Sequence, residues 1–316
     1  MTARRITVLG ASGFIGRYVV KRLAQDGAVV AACCRHTRTA GYLRTMGDVG
    51  QVALFNADLL DERALAAVIA GSDVVINAVG VLYESGKRTF DAVHNQGAAR
   101  VAALAKAAGV KQLVHISAIT ADANGASFYA RSKAAGEAAV RAAFPGAVIL
   151  RPSLVFGPED MFFNRFAALA RYLPALPVIG TGDNKFQPVY VDDVAAAVLA
   201  VIARPDTAGK TYDLAGPAVF TQRQLLELVL SITGRKRLLV TVPAGIASLK
   251  AFFLELLPSP LLTRDQVRMM RQDAVTKAGV SGLADLGIAP KALELILPTY
   301  LERYRRLGQG FKPSHA

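Results

Sequence analysis

A tyrosine and a lysine stand four positions apart in the segment Tyr129-Ala-Arg-Ser-Lys133. On a helix, residues at positions i and i+4 lie on one face, so the phenol and the ammonium group would come together. A neighbouring cation lowers the pKa of a tyrosine from its ordinary value of about 10, and the lysine could also hold a ribose. Such a pair suits general acid–base chemistry in hydride transfer. The spacing is also common by chance, so a purely structural role stays open at this point.

A glycine-rich segment near the N-terminus predicts a dinucleotide cofactor with which the tyrosine and the lysine would act. It lies between an apolar run and a helical pattern. Glycines at such a place allow a tight turn, close approach of the backbone to a pyrophosphate and close helix–strand packing. The helix that follows presents free N–H groups and the positive end of its dipole to phosphates. The alternative is a turn that only packs. The predicted dinucleotide-binding residues are Gly10, Ser12, Gly13, Phe14, Ile15 and Gly16.

The choice between the two nicotinamide dinucleotides depends on Arg35, which stands 19 residues after Gly16. In NAD sites an acidic residue about 20 positions after the glycine loop holds the ribose 2′-hydroxyl. A cation at that place suits a 2′-phosphate instead. The sequence therefore favours NADP(H), with NAD(H) as the alternative if Arg35 is only a solvated charge.

Two further segments follow predicted strands and are expected to meet the cofactor. Asp58 and Leu59 follow the third strand and would meet the adenine edge. Ala78, Val79 and Gly80 follow the fourth strand, where the main chain would run under the cofactor. An aspartate at a strand end is also a common helix cap, so the order of these segments after the glycine loop carries the prediction.

The elements that would position these residues alternate along the first half of the chain. Six strands are predicted at about 6–9, 29–33, 51–55, 73–78, 112–117 and 147–151, with helices at about 13–25, 61–70 and 89–109. This alternation predicts an α/β fold, a Rossmann-type doubly wound parallel sheet. We expect a nucleotide-binding core over 1–151 with contributions from about 187–215, and a small C-terminal α/β lobe with a basic tail over 152–316. Thr221 is expected to cap a helix that ends at Thr233.

Composition limits the class of protein. The chain has 316 residues, of which 53% are hydrophobic, so it can bury a large core and is not disordered. Adjacent cysteines at Cys33 and Cys34 have the spacing of neither a disulfide framework nor a metal site, so no metal is expected. No signal-peptide pattern and no run of about 18 apolar residues is present. The sequence therefore predicts a protein that is cytoplasmic and soluble, or peripheral to a membrane.

Taken together, these segments resemble the extended or atypical branch of the short-chain dehydrogenase/reductase superfamily. The resemblance lies in the glycine loop, Asp58-Leu59, Asn77 to Gly80, Tyr129-x-x-x-Lys133, Arg151 to Pro158 and Gln187 to Val194. It implies NAD(P) bound across the sheet ends and adds Pro152 to the expected cofactor-binding residues. Active members usually carry Ser or Thr where this chain has Ala118, and only Thr120 could take that place if its loop curls back. Loss of such a donor typically costs about 2.7–4 kcal/mol of transition-state stabilisation.

A narrower resemblance is to the nucleotide-binding accessory subunit family of respiratory complex I. It lies in Gly10 to Val20, Gly47 to Gln51, Gly157 to Asp160, Phe162 to Phe166, Leu262 to Val267 and Gly282 to Ile288. This family implies a tightly held NADPH, little or no turnover, and docking where the peripheral arm meets the membrane, near the quinone site. Close relatives in ubiquinone biosynthesis or assembly leave a second role open.

The tail supports docking independently. The net charge of the chain is +13, and residues 235–316 hold 13 Lys and Arg against six acidic residues, an excess of seven. Apolar residues precede much of that charge, at Ile246, Leu249, Phe252, Phe253, Leu256 and Leu257. Cations beside an apolar helix suit a membrane interface, on the cytoplasmic face of the inner membrane, or a protein partner. The alternative is that the helix covers the substrate pocket.

Three functional hypotheses follow from these observations. The first is an NADP(H)-binding accessory subunit or assembly factor of complex I. The second is an active NAD(P)-dependent reductase, epimerase or dehydratase that uses Tyr129 and Lys133, on a ubiquinone precursor for example. The third, nucleic-acid binding, rests on net charge alone and is set aside because no recognition motif accompanies it.

Overall fold

Strands and helices alternate along the chain in the computed structural model, which describes residues 4–257 and 260–305. The strands are β1 (Arg5–Leu9), β2 (Val29–Cys34), β3 (Val52–Asn56), β4 (Val74–Asn77), β5 (Gln112–Ile116), β6 (Val148–Pro152), β7 (Val155–Phe156), β8 (Ala175–Ile179), β9 (Lys185–Phe186), β10 (Val189–Tyr190), β11 (Thr211–Leu214), β12 (Phe220–Thr221) and β13 (Leu238–Val242). The α-helices are α1 (Phe14–Gln25), α2 (Glu62–Ile69), α3 (Gly97–Ala107), α4 (Phe128–Ala143), α5 (Phe162–Tyr172), α6 (Val191–Ala203), α7 (Gln222–Thr233), α8 (Ala244–Leu254), α9 (Arg264–Met269) and α10 (Leu293–Leu301). A π-helical turn covers Asp91–Gln96, and short 3-10 segments cover Thr37–Met46, Pro205–Thr207, Ala284–Leu286 and Glu302–Tyr304.

Seven parallel strands form the central sheet, in the order β11-β6-β5-β4-β1-β2-β3. The six predicted strands are confirmed. The seventh, β11, pairs with β6 through Tyr212 and Leu150, and it was not predicted because four residues are too few to show a strand period. Helices α1 and α6 pack on one face of the sheet and α2, α3 and α4 on the other. This is the doubly wound arrangement that the alternation predicts.

The order of the strands reverses at β1. The chain runs from β1 outward to β2 and β3, and then returns to β4 on the opposite side. Ligands of doubly wound sheets bind in the crevice beyond the carboxyl ends of the strands at such a reversal. The glycine loop lies there because it connects β1 with α1.

The helix predicted over 89–109 is continuous from Phe90 to Ala107, but its first part, Asp91–Gln96, is π-helical and Gly97–Ala107 is α-helical. At this place α4 approaches the π turn very closely. A side chain at Gly136 of α4 would place its Cβ 1.9 Å from the carbonyl oxygen of His94. The wider turn carries His94 toward the carboxyl ends of the strands, and π turns often occur at functional sites.

The second half of the chain builds a smaller apolar core from α5, α7, α10 and the parallel pair β8 and β13. The predicted start of α7 is confirmed as a capping box, in which Thr221 Oγ1 accepts from the Gln224 amide at 3.2 Å and Gln224 Oε1 accepts from the Thr221 amide at 2.7 Å. Further along, Leu283 and Leu286 return to the core under the central sheet. The Asp213 amide of β11 donates to the Ser281 carbonyl at 2.9 Å, so this segment extends the sheet edge.

Within residues 4–257 and 260–305, every helix is too short or too polar to cross a membrane. Arg306 and Lys312, which contribute to the predicted charge of the tail, lie outside the described residues.

Candidate functional site

A cleft of about 240 Å³ lies beyond the carboxyl ends of β1, β2, β3 and β4. Nine of the residues predicted to bind the cofactor line it, namely Gly10, Ser12, Gly13, Arg35, Asp58, Leu59, Ala78, Val79 and Gly80. Phe14, Ile15, Gly16, Tyr129, Lys133 and Pro152 are not in its lining. Arg88 and Cys34 line the cleft as well, and neither was predicted. Four separate segments of the sequence thus converge on one crevice, as their order indicates.

The glycines of the loop are required by close contacts. Gly10 has a φ of +79°, and a Cβ on it would lie 2.9 Å from the Ala78 carbonyl oxygen. A Cβ on Gly16 would lie 2.1 Å from the Gly10 carbonyl oxygen, which no shift of a side chain could relieve. The Gly13 amide donates to the same oxygen at 2.9 Å and closes the turn. Gly16 therefore acts through packing of α1 on the loop, which explains why it does not line the cleft.

The N-terminus of α1 carries positive charge without a compensating group from its own first turn. Gly13 is the N-cap and provides no side-chain cap, and the first turn contains no acidic residue. The Arg17 guanidinium donates to the Ser12 and Gly13 carbonyls at 3.2 and 3.3 Å and so lies beside the loop. Phe14 and Ile15 form the first turn of the helix, where the four leading N–H groups have no partner within the helix. Their expected contribution is thus main-chain N–H groups for a phosphate.

Tyr129 and Lys133 lie on one face of α4, as the spacing predicts, with the Lys133 ammonium 5.9 Å from the centre of the Tyr129 ring. The ammonium is buried and donates to the Ile116 carbonyl at 3.2 Å. Burial lowers the pKa of Lys133 to about 8. The prediction that Lys133 lowers the pKa of Tyr129 is wrong, because burial raises the pKa of this phenol to about 12. The phenol thus stays protonated at neutral pH and is poorly prepared to act as a base.

Two buried histidines connect the cleft with Lys133, and no periodicity or motif in the sequence indicates either of them. His94 Nε2 accepts from the Val81 amide at 3.0 Å, and its Nδ1 is 2.9 Å from Ser132 Oγ, which in turn donates to the Tyr129 carbonyl. His115 Nδ1 lies 3.3 Å from the side-chain amide of Asn77. Burial, with Lys133 nearby, lowers the pKa to about 2 for His94 and about 3 for His115. Both rings are therefore neutral hydrogen-bonding supports of the site.

Tyr129 belongs to a small cluster of apolar side chains. Ala118 is buried there with Phe90 and Tyr129, and Met269 of α9 packs against this cluster. The neighbouring Ser117 is buried with no hydrogen-bond partner for its hydroxyl among the described residues. The position expected to hold a hydroxyl donor thus holds a methyl group in contact with apolar side chains.

Two predicted residues remain, Thr120 and Pro152. Thr120 lies half-buried in a turn in which the Ala121 amide donates to the Ala118 carbonyl at 3.0 Å. Pro152 ends β6, and its carbonyl accepts from the Ile119 amide at 3.0 Å. These contacts are structural, so a catalytic role for Thr120 and a cofactor contact for Pro152 stay predictions.

The segment Leu262 to Val267, which carries part of the narrower resemblance, holds the helix that bears Tyr129. The Asp265 carboxylate is buried and accepts from the main-chain amides of Phe128 and Tyr129 at 2.8 and 3.0 Å. Asp265 thereby supplies, from α9, the negative charge that the first turn of α4 lacks. Gln266 Nε2 adds a bond to the Leu82 carbonyl at 3.2 Å. This segment therefore joins the C-terminal lobe to the helix that bears Tyr129. The sequence did not indicate this contact.

Helix α8 exposes an apolar surface. Only Ala247 and Ala251 of the helix are buried, where they pack with Val267 of α9. The exposed apolar residues of the helix and the turn after it are Ile246, Leu249, Phe252, Phe253, Leu256 and Leu257. These side chains face solvent, which contradicts the alternative that they pack over the substrate pocket.

A comparison of the sequence with known families agrees with this fold and cleft. The sequence matches the NAD dependent epimerase/dehydratase family over residues 6–215, and the chain belongs to that family. In fold it is similar to the NAD-complexed dTDP-glucose 4,6-dehydratase of Bacillus anthracis, with a TM-score of 0.74, 18% identity and 96% of each chain covered. The Rossmann-type doubly wound fold is thus confirmed.

Two relatives with higher sequence identity point to a narrower family. NADH dehydrogenase (ubiquinone) 1 alpha subcomplex subunit 9, mitochondrial, of Arabidopsis thaliana is 35% identical over 317 residues, which cover 96% of this chain and 79% of that protein. The NADH-ubiquinone oxidoreductase 40 kDa subunit, mitochondrial, of Neurospora crassa is 32% identical over 95% of this chain and 79% of its own length. The resemblance to the accessory subunit family of respiratory complex I is thereby confirmed.

Proposed function

We propose that this chain is an accessory subunit or assembly factor of respiratory complex I that holds NADP(H) as a structural cofactor with little turnover. The observation that carries the proposal is the likeness to complex I subunits over nearly the whole chain, including the C-terminal segments outside residues 6–215. In this proposal the core over 1–151 with 187–215 holds the nucleotide. The lobe and tail over 152–316 dock on the complex.

The NADP(H) part of the proposal is supported by Arg35. This exposed residue lines the cleft next to the end of β2, where an NAD site would hold an acidic residue. Denaturation of the purified protein should release NADP(H), identified by chromatography and mass. Recovery of NAD(H) alone would contradict the role of Arg35.

Low turnover is supported by the surroundings of Tyr129. Its pKa of about 12 disfavours proton abstraction, and Ala118 provides no hydrogen bond to a developing oxyanion. Met269 packs against the same apolar cluster as Ala118 and Tyr129. The competing hypothesis, an active reductase or epimerase, keeps Tyr129 and Lys133 as its support. A Tyr129→Phe variant that keeps nucleotide but loses the cellular phenotype would favour the enzyme.

Docking is supported by α8 and its turn. An exposed apolar helix with Lys250 within it and Arg264 and Arg268 close by in sequence suits a membrane interface or a protein groove. We propose that this surface lies where the complex meets its membrane, which makes the protein peripheral to that membrane.

The test is co-migration with complex I on a native gel of detergent-solubilised membranes. Leu249→Glu on α8 should release the protein from the complex. Leu295→Glu on α10 is the matched control, because Leu249 is 62% exposed and Leu295 is 70% exposed. Wild-type protein found wholly in the soluble fraction would refute docking. Equal behaviour of the two variants would show that α8 is not the docking surface.

A further inference from the structure

Arg88 lies on a short, well-defined hairpin at the mouth of the cleft. The amide of Ser85 donates to the Arg88 carbonyl at 3.2 Å, and the amide of Arg88 donates to the Ser85 carbonyl at 3.0 Å. Gly86 forms the turn with a φ of +55°. The guanidinium is only 28% exposed and lines the cleft together with the glycine loop. The hairpin bonds therefore fix the main chain at Arg88.

The carboxylate that faces Arg88 belongs to Asp58, and the two form an ion pair. Asp58 follows β3 and also accepts from the Leu60 amide at 3.2 Å. Cys34 pairs with Asn56, and the Ala57 amide donates to the Cys34 carbonyl at 3.1 Å, so Arg35 and Asp58 leave neighbouring strands side by side. The lining of the cleft thus holds two arginines, Arg35 and Arg88, and one carboxylate, Asp58, which leaves one positive charge in excess.

We propose that Arg88 is a second ligand, with Arg35, of the 2′-phosphate of NADP(H), and that it determines the preference for that nucleotide. This inference rests on the proposed NADP(H) binding. A guanidinium has five N–H donors, so Arg88 can keep Asp58 and still donate to a phosphate. A phosphomonoester carries about −1.5 to −2 charges at pH 7, and Asp58 would repel it without a cation beside it. Arg88 therefore removes a repulsion and adds a charge-assisted bond.

A purely structural role makes a different prediction. If Arg88 only connects the hairpin with the end of β3 through Asp58, substitution of either residue should weaken the binding of NADPH and of NADH equally. If Arg88 binds phosphate, removal of Arg88 should weaken the binding of NADPH alone. Removal of the Asp58 charge should leave the preference for NADPH unchanged or larger.

The experiment is calorimetric titration of nucleotide-stripped full-length protein with NADPH and with NADH. Arg88→Gln should raise the Kd for NADPH about 10- to 100-fold, the usual range for a hydrogen bond to a charged group, and change that for NADH less than about threefold. Lys87→Gln is the matched control, because it removes an exposed positive charge from the same hairpin. Asp58→Asn breaks the same ion pair while keeping Arg88.

The outcomes separate this inference from the proposed function. Equal weakening of both nucleotides by Arg88→Gln, or an equal effect of Lys87→Gln, overturns the role of Arg88. Loss of NADPH preference in Arg35→Gln but not in Arg88→Gln overturns the inference and leaves the proposed NADP(H) binding intact. A wild-type chain that binds NADH more tightly than NADPH overturns both. A thermal melt of each nucleotide-free variant shows whether Arg88→Gln is folded, and Arg88→Lys, which keeps the charge, should retain part of the preference.

Discussion

Substitution of Asp265 by alanine tests whether the C-terminal lobe holds the helix that carries Tyr129. Asp265 is buried and accepts from two main-chain amides of the first turn of α4. Those N–H groups have no partner within the helix, and Ser127 caps only the next one, at Ala130. Without the carboxylate, two buried donors would lose their partner.

The magnitude follows from these two bonds. A hydrogen bond to a charged group contributes about 1.5–3 kcal/mol, and a carboxylate at a helix N-terminus adds about 0.3–1 kcal/mol. The two bonds share one carboxylate and are not additive, and water can partly solvate the freed amides. We therefore expect Asp265→Ala to lower the free energy of unfolding by about 2–4 kcal/mol. For a chain of this size, that is a fall in the melting temperature of about 3–6 °C.

The assay is chemical denaturation followed by circular dichroism, together with the NADPH Kd at a temperature where both proteins are folded. Asp206→Ala is the control, since this aspartate forms only exposed ion pairs with Arg204 and Lys210 and its loss should leave the midpoint unchanged. Asp265→Ala should also weaken the binding of NADPH, because Tyr129 and Lys133, which are predicted to contact the cofactor, both lie on α4. Full stability and full affinity in Asp265→Ala would refute the reasoning.

Three further predictions concern packing and buried charge. Gly16→Ala should abolish nucleotide binding or folding, because its Cβ would meet the Gly10 carbonyl. Gly41→Ala, with open space around it, should not. The soluble yield and the amount of bound nucleotide measure the two effects. Tyr300→Phe should cost about 1–3 kcal/mol in denaturant titration, because it removes the hydroxyl that donates to buried Asp160 at 2.5 Å. The folded-state pKa of His115, about 3, lies below its unfolded value of about 6.5, so its contribution to stability is complete above pH 6.5 and is lost as the pH falls from 6.5 toward 3. Between pH 7 and pH 5 the free energy of unfolding of the wild type should therefore fall by about 2 kcal/mol more than that of His115→Gln, and equal slopes would contradict this.

Much of the nucleotide side of the molecule could be predicted from the sequence, because local patterns determine it. Buried parallel strands appear as short apolar runs, and Gly13 and Gly16 are fixed by contacts with Gly10, a few residues away. Parallel strands also bring their carboxyl ends to one edge, so the positions of Arg35, Asp58 and Gly80 along the chain are enough to place them together. The strand β11 was not predicted because it is short and pairs with a strand about 60 residues earlier in the chain.

The contacts that decide the chemistry could not be predicted, since they join distant segments. Asp265 meets Tyr129 across 136 residues, and Asn77 meets His115 across 38. The pKa of Tyr129 was predicted in the wrong direction because the spacing points to one neighbour, Lys133, and not to burial by Phe90, His94 and the lobe. Desolvation is a property of the packed molecule, and residue spacing carries no information about it.

The short helix α9 joins the site proposed to hold the cofactor to the surface proposed to dock on the complex. Its Asp265 and Met269 contact the Tyr129 side of the cleft, and its Val267 packs with Ala247 and Ala251 of the exposed helix α8. A ligand that binds only the folded form stabilises it in proportion to the logarithm of its concentration over its Kd. In the proposed function, nucleotide bound in the cleft would therefore stabilise α4 and, through Asp265 and Val267 of α9, the exposed helix α8.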